Sequence, residues 1–149
     1  MHIELRKIEP AIREECESLC VREDQKVYIA SNADSLKTAE EYPEVARPFA
    51  LYADGRMVGF AMFAFDEEYE DPEDRYWLWR FMIDRKEQGN GYGRAALTVI
   101  LSYFRDHGAN IVTLSTKASN ERALGLYHQA GFKENGRMNG EEIVLKLVL

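Results

Sequence analysis

Three glycines crowd into the six residues Gln88-Gly89-Asn90-Gly91-Tyr92-Gly93. They follow the apolar run Trp77-Leu78-Trp79-Arg80-Phe81-Met82-Ile83 and precede Arg94-Ala95-Ala96-Leu97-Thr98-Val99-Ile100-Leu101. That pattern predicts a strand, a tight turn and a helix. Glycine tolerates positive φ and lets a ligand approach the backbone closely. A helix that starts at such a turn presents unpaired N–H groups to an anion. The expected chemistry is therefore phosphate binding.

Other chemistry-bearing residues are spread more widely. Seven of the nine residues from Asp66 to Asp74 are Asp or Glu. Glu23, Asp24, Glu40, Glu41 and Glu44 add further acids. Such clusters attract a polycation, or form a solvated surface. Tyr28 and Trp79 suit an amine channel through cation–π contact, or the core. Cys16 and Cys20 are the only cysteines and would share a helical face. Without a matching Cys/His pair they make no zinc site, so free thiols are expected and no metal.

These groups need a scaffold. A chain of 149 residues suits one domain, spanning 1–149. Ile3 and Leu5 alternate with polar residues as a strand. Pro10 to Leu19 suits a helix with Pro in its first turn. A second helix is predicted over Ser35–Glu41, capped by Asp34 or Ser35. Phe49–Ala53, Asp54-Gly55 and Arg56–Phe65 predict a hairpin with a type I′ turn. Tyr76–Ile83 is the next strand. Leu97, Ile100, Leu101 and Phe104 form the apolar stripe of the helix that Gly108 ends. Ile111–Ser115 reads as a strand. Ser119 or Asn120 caps a helix whose apolar face carries Ala123, Leu126, Tyr127 and Ala130. Phe132–Met138 and Glu141–Leu149 close the chain as a hairpin. The central β-α-β unit requires parallel strands and the hairpins antiparallel ones. The expected class is α/β (α+β), a mixed sheet of about seven strands with helices on both faces.

Charge and hydropathy exclude some partners. The net charge is −7, which argues against nucleic acid. No apolar run reaches the roughly 20 residues that span a bilayer. Met1 to Lys7 lacks a signal peptide's apolar stretch, so the expected compartment is the cytoplasm, without membrane attachment. A homodimer is compatible with the composition.

Three phosphate-binding patterns compete for the glycine turn. A P-loop needs G-x-x-x-x-G-K-[ST], which the chain lacks. The dinucleotide fingerprint is formally met by Gly91, Gly93 and Ala96. Its ribose-binding acid is missing, because the following strand ends in Leu114-Ser115-Thr116-Lys117. The third pattern, Q/R-x-x-G-x-G/A, is met by Gln88, Gly91 and Gly93.

On that third pattern the chain resembles the GCN5-related N-acetyltransferases (GNAT family). Asn120-Glu121-Arg122-Ala123-Leu124-Gly125-Leu126-Tyr127-His128-Gln129-Ala130-Gly131-Phe132 resembles the family's N-x-x-A-x-x-x-Y-x-x-x-G-F segment. The element order matches as well. Gln25–Ser31, Arg47–Phe65 and Trp77–Asp84 resemble the bacterial spermine and spermidine acetyltransferases in particular.

The resemblance implies acetyl transfer from acetyl-coenzyme A to a primary amine, a polyamine first among the candidates. Phe81, Met82 and Ile83 would hold the pantetheine arm as an added strand would. Gln88, Gly89, Asn90, Gly91, Tyr92, Gly93 and Arg94 would wrap the pyrophosphate. Tyr127 would protonate the departing thiolate as general acid. Asn120 would bond the coenzyme or cap its helix. Tyr28, Glu41 and Trp79 are the implied contacts of the amine. Many relatives carry an acid just ahead of the apolar triplet, where this chain has Trp79 and Arg80. A carboxylate base on that strand is therefore in doubt, and a water relay to an acid elsewhere is expected. Two other readings stay open: acetylation of another amine such as an aminoglycoside or peptide, and a coenzyme A-binding module without turnover.

Overall fold

The computed structural model describes residues 2–149. The elements run β1 (Ile3–Lys7), α1 (Pro10–Ser18), α2 (Asn32–Glu41), β2 (Ala46–Ala53), β3 (Arg56–Phe65), β4 (Tyr76–Ile83), α3 (Tyr92–Asp106), β5 (Ile111–Lys117), α4 (Glu121–Gln129), β6 (Lys133–Asn139) and β7 (Glu142–Val148). The seven strands form one sheet in the order β1-β2-β3-β4-β5-β7-β6. Every pairing is antiparallel except β4 with β5.

Each face of the sheet has its own core. Phe104, Ile100, Leu97 and Ala96 of α3 and Tyr127 of α4 pack on Val58, Phe63, Leu78, Val112, Leu114 and Leu145. Cys16 of α1 with Leu36 and Ala39 of α2 packs on Phe60, Met62 and Met82 from the other side. Cover on both faces explains why Met57–Phe63 is buried without a break. Gly59 lies where β3 approaches β4 most closely. A Cβ there would collide with the Met82 carbonyl.

Several expected boundaries move. Helix α2 starts at Asn32, with Ser31 as its cap accepting the Asp34 N–H at 3.1 Å. Helix α1 stops at Ser18, so Cys20 lies beyond it and the two thiols do not share a helical face. Strand β2 begins at Ala46 rather than Phe49. Pro48 is tolerated because β1 pairs only as far as Phe49, leaving one side of β2 open there. The hairpin turn is as expected: Asp54 and Gly55 both have positive φ, 51° and 80°.

Candidate active site

The site begins with a fault in the sheet. Arg80 pairs with Met62 and Leu78 with Phe63, so Trp79 is an extra residue, a β-bulge on β4. The bulge changes which way the side chains face. Leu78, Phe81 and Ile83 pack toward α3 and α4, while Trp79 and Met82 pack on the α1/α2 side. By the alternation from Phe81, Arg80 shares that second face with its neighbour Trp79.

The same strand then parts from β5. The two strands pair only at Trp77 opposite Thr113, although both continue. Between them opens a cleft of about 1410 Å³. Single-ligand pockets commonly span about 300–1,000 Å³, so there is room for a donor and an acceptor together.

One end of the cleft is built for an anion. Gly91 caps α3 in the left-handed region at φ 82° and ψ 5°. The first helical N–H with a backbone acceptor is that of Ala95, on Gly91 O at 3.2 Å. The N–H groups of Gly91 to Arg94 therefore lack backbone partners among the described residues. A Cβ on Gly89, at φ 83°, would meet nothing within 4 Å, so the turn faces open space. A diphosphate fits such a cradle at the positive end of a 15-residue helix. Lys26, Arg94 and Arg122 line the same end.

The structure sorts the expected coenzyme residues by how they contribute. The Asp84 N–H donates to Val58 O at 2.8 Å, so by alternation the Met82 backbone also faces β3. Phe81 and Ile83 are left facing the cleft, and the Ile83 carbonyl accepts from Gln88 Nε2 at 2.9 Å. Gln88 also bonds Gln25 at 2.9 Å, so its side chain holds protein and only its backbone faces the anion end. The Tyr92 hydroxyl accepts from Arg56, and Asn90 Nδ2 donates to Glu87 O at 3.0 Å. These two side chains shape the turn. Arg94 is tied to Gln129 of α4. Asn120 sits at the N-cap of α4 without making a cap bond; its Nδ2 donates to Thr116 Oγ1 at 3.0 Å.

Tyr127 reaches the cleft from α4. The residue is 9% exposed, and its ring packs edge-on against Phe132 at 5.8 Å. Burial alone acts on its hydroxyl, with no hydrogen-bonding or charged neighbour contributing. Burial pushes the phenol well above its usual value.

The opposite end is aromatic and acidic. Tyr28, Tyr42, Tyr69, Trp77 and Trp79 line it with Asp66, Asp74 and Glu142. The Tyr28 hydroxyl donates to Ser119 O at 3.1 Å, strapping the segment after α1 across the cleft. Glu41 lies exposed on α2 and does not line the cleft; Glu23, Asp24, Glu40 and Glu44 are likewise outside it. Of the loop's acids only Asp66 and Asp74 line the cleft, and Asp74 is paired with Arg137 at 2.8 Å. Arg80 is the unexpected member. Its Nε is buried without a partner among the described residues, and burial lowers its pKa while the Glu142 charge opposes that shift. Arg80, Ser115 and Glu142 escaped the sequence reading because only the bulge and the β5–β7 pairing bring them together.

Comparison with known proteins agrees with this geometry. Residues 7–132 match the model of the acetyltransferase (GNAT) family. The spermine/spermidine N(1)-acetyltransferase of Bacillus subtilis (strain 168) is 35% identical over 133 residues, 86% of this chain and 87% of that protein. The chain belongs to the GNAT acetyltransferase family. It is an N-acetyltransferase, and acetyl-coenzyme A is the co-substrate of its family. The fold recurs in a spermidine N-acetyltransferase from Vibrio cholerae in complex with CoA and spermine. That structure has a TM-score of 0.74 and 18% identity, and the match covers 98% of this chain and 95% of the other. An aminoglycoside acetyltransferase in complex with coenzyme A superposes with a TM-score of 0.78 at 17% identity, over 99% and 95% of the two chains. No helix among the described residues is long and apolar enough to cross a membrane.

Proposed function

We propose that this acetyltransferase acetylates a primary amine of a polyamine, spermine or spermidine, by direct attack on the thioester with Tyr127 as the proton donor. The observation that carries the substrate class is the 35% identity with the Bacillus spermine/spermidine enzyme over 86% of the chain. The acceptor end of the cleft supports it. Aromatic faces from Trp77, Trp79 and the tyrosines suit ammonium groups and methylene chains. Asp66 and Glu142 add the complementary charge.

When bound, acetyl-coenzyme A supplies the activated acetyl group. The chain's own residues do the rest. The N–H groups of Gly91 to Arg94 hold the pyrophosphate, with Arg94 and Arg122 beside them. The free backbone edge at Phe81 takes the pantetheine amide. Tyr127, protonated at neutral pH as a phenol is, donates its hydrogen to the sulfur as charge builds there. The bulge aims Trp79 at the acceptor, so no carboxylate comes from that position of β4.

The amine must lose a proton before it attacks. With a pKa near 10.4, about one molecule in 10³ is neutral at pH 7, a deficit of about 4–5 kcal/mol. The test is thiol release from acetyl-coenzyme A in the presence of spermine, spermidine, an aminoglycoside and a peptide amine. Turnover confined to the polyamines is the expected result. Turnover only on another amine overturns the substrate, and no turnover on any amine overturns acetyl transfer.

A further inference from the structure

The amine's proton needs an acceptor, and Trp79 occupies the position where an acid from β4 would stand. We infer that Ser115 and Glu142 form the proton relay of the acetyl transfer, with Ser115 receiving the proton and Glu142 storing it. The inference rests on the acetyl-transfer reading above and names the base that this reading lacks.

The relay follows from the alternation of three strands. Val112 and Leu114 of β5 and Leu145 of β7 pack toward α3 and α4. Ser115, paired with Val144, therefore faces the other way, as does Glu142. Both line the cleft, Ser115 two residues past the point where β4 and β5 part. The Ser115 hydroxyl donates to Glu142 Oε1 at 2.7 Å. Asn139 Nδ2 donates to Ser115 Oγ at 3.3 Å. A hydroxyl has one donor and two acceptor sites, so one lone pair of Ser115 remains for the incoming ammonium. Tyr127 enters from α4, on the other side of the sheet. Acid and relay thus flank the opening from opposite faces.

Two cationic side chains stand near Glu142. Arg80 of β4 shares its face and interacts with it electrostatically. Lys117 lies directly across on β5. Asp74 is paired with Arg137 at 2.8 Å and Glu73 with Lys146 at 3.2 Å, while Asp66 lines the cleft with no ion pair among the described residues. Glu141, the neighbour on the hairpin, is exposed.

The step balances as follows. The ammonium N–H bond breaks and its proton passes to Ser115 Oγ while the Ser115 proton passes to Glu142. The freed nitrogen lone pair forms the C–N bond as the C–S bond breaks. Tyr127 gives its proton to the sulfur. The second proton lost by nitrogen restores Tyr127. Glu142 releases its proton to solvent.

Glu142→Gln and Ser115→Ala test the relay through the pH profile of kcat/KM for the amine. Wild type uses the ammonium form and should be nearly flat from pH 7 to 9. Each variant depends on amine already neutral in solution. Its rate should fall about 10²–10⁴-fold at pH 7, the usual worth of general base catalysis. The deficit should then shrink about tenfold per pH unit toward the amine pKa near 10.4. The double variant should be no slower than either single one, since the two groups act as a unit. Loss of the Glu142 charge should also weaken amine affinity, by a pH-independent factor that calorimetry on the coenzyme A-bound protein reads separately from the pH slope. A deficit equal at every pH marks a merely structural role and overturns the relay, as does an unchanged rate in either variant. Wild type without turnover on any amine would instead defeat acetyl transfer itself.

Discussion

Replacing Gly91 by valine isolates the anion cradle from the rest of the protein. Gly91 sits at φ 82° and ψ 5°, where an L residue costs about 1–2 kcal/mol and a β-branched one more. For a chain of this size that should lower the Tm by about 2–8 °C. The second effect is on binding. The valine side chain stands at the cap whose N–H groups would meet the pyrophosphate. Loss of one hydrogen bond to a charged group costs about 1.5–3 kcal/mol, hence about 10- to 150-fold in affinity. Gly108→Val is the matched control. It carries the same backbone penalty at φ 91°, and a Cβ there meets nothing within 4 Å. Calorimetry with acetyl-coenzyme A should show weakened binding for Gly91→Val and near wild-type binding for Gly108→Val. Equal affinities in both variants and wild type would refute the cradle, because strain alone would then be the only consequence of the substitution.

Tyr127→Phe should leave stability nearly unchanged, since no hydrogen-bonding or charged neighbour acts on the hydroxyl. It should lower kcat about 10²–10⁴-fold with little change in the acetyl-coenzyme A KM; an unchanged kcat would remove the acid role. Cys16, fully buried, has its thiol pushed up from 9.0 to about 12 by desolvation. A raised folded pKa means full stability below about pH 9, lost as pH climbs toward 12. By pH 10 the loss should be about 1.4 kcal/mol. Cys16→Ala should flatten that limb in urea titrations at pH 8 and 10, and an unchanged slope would contradict the assignment. Gly59→Ala should destabilise by about 1–3 kcal/mol, because the new Cβ meets the Met82 carbonyl and forces β3 from β4. An unchanged urea midpoint would show that the strands yield freely.

Local signals were legible wherever neighbours in sequence are neighbours in space. The strand, glycine turn and helix from Tyr76 to Asp106 follow from apolar runs and positive-φ glycines. The Asp54-Gly55 hairpin follows from the same local chemistry. The placement of Tyr127 on the cleft side of a helix was legible because that helix carries a motif and an apolar stripe. Start points were less legible. Ser31 outcompeted Asp34 and Ser35 as cap because its hydroxyl reaches the Asp34 N–H, a choice that spacing alone leaves open.

The acceptor side shows the opposite case. Glu41 looked as good an amine contact as any acid, yet α2 turns it to solvent. Residue order by itself determined an acidic chain with one glycine-rich turn opening a helix and a later helix carrying Tyr127. It left open which acids line the cleft. That was decided by a one-residue bulge at Trp79, which turns Arg80 onto the same face, and by β7 inserting beside β5, which brings Glu142 to Ser115. The reason is geometric. Side-chain direction in a strand has a period of two, so one extra residue, or one change of neighbouring strand, reassigns a whole face, and neither event leaves a mark in local composition.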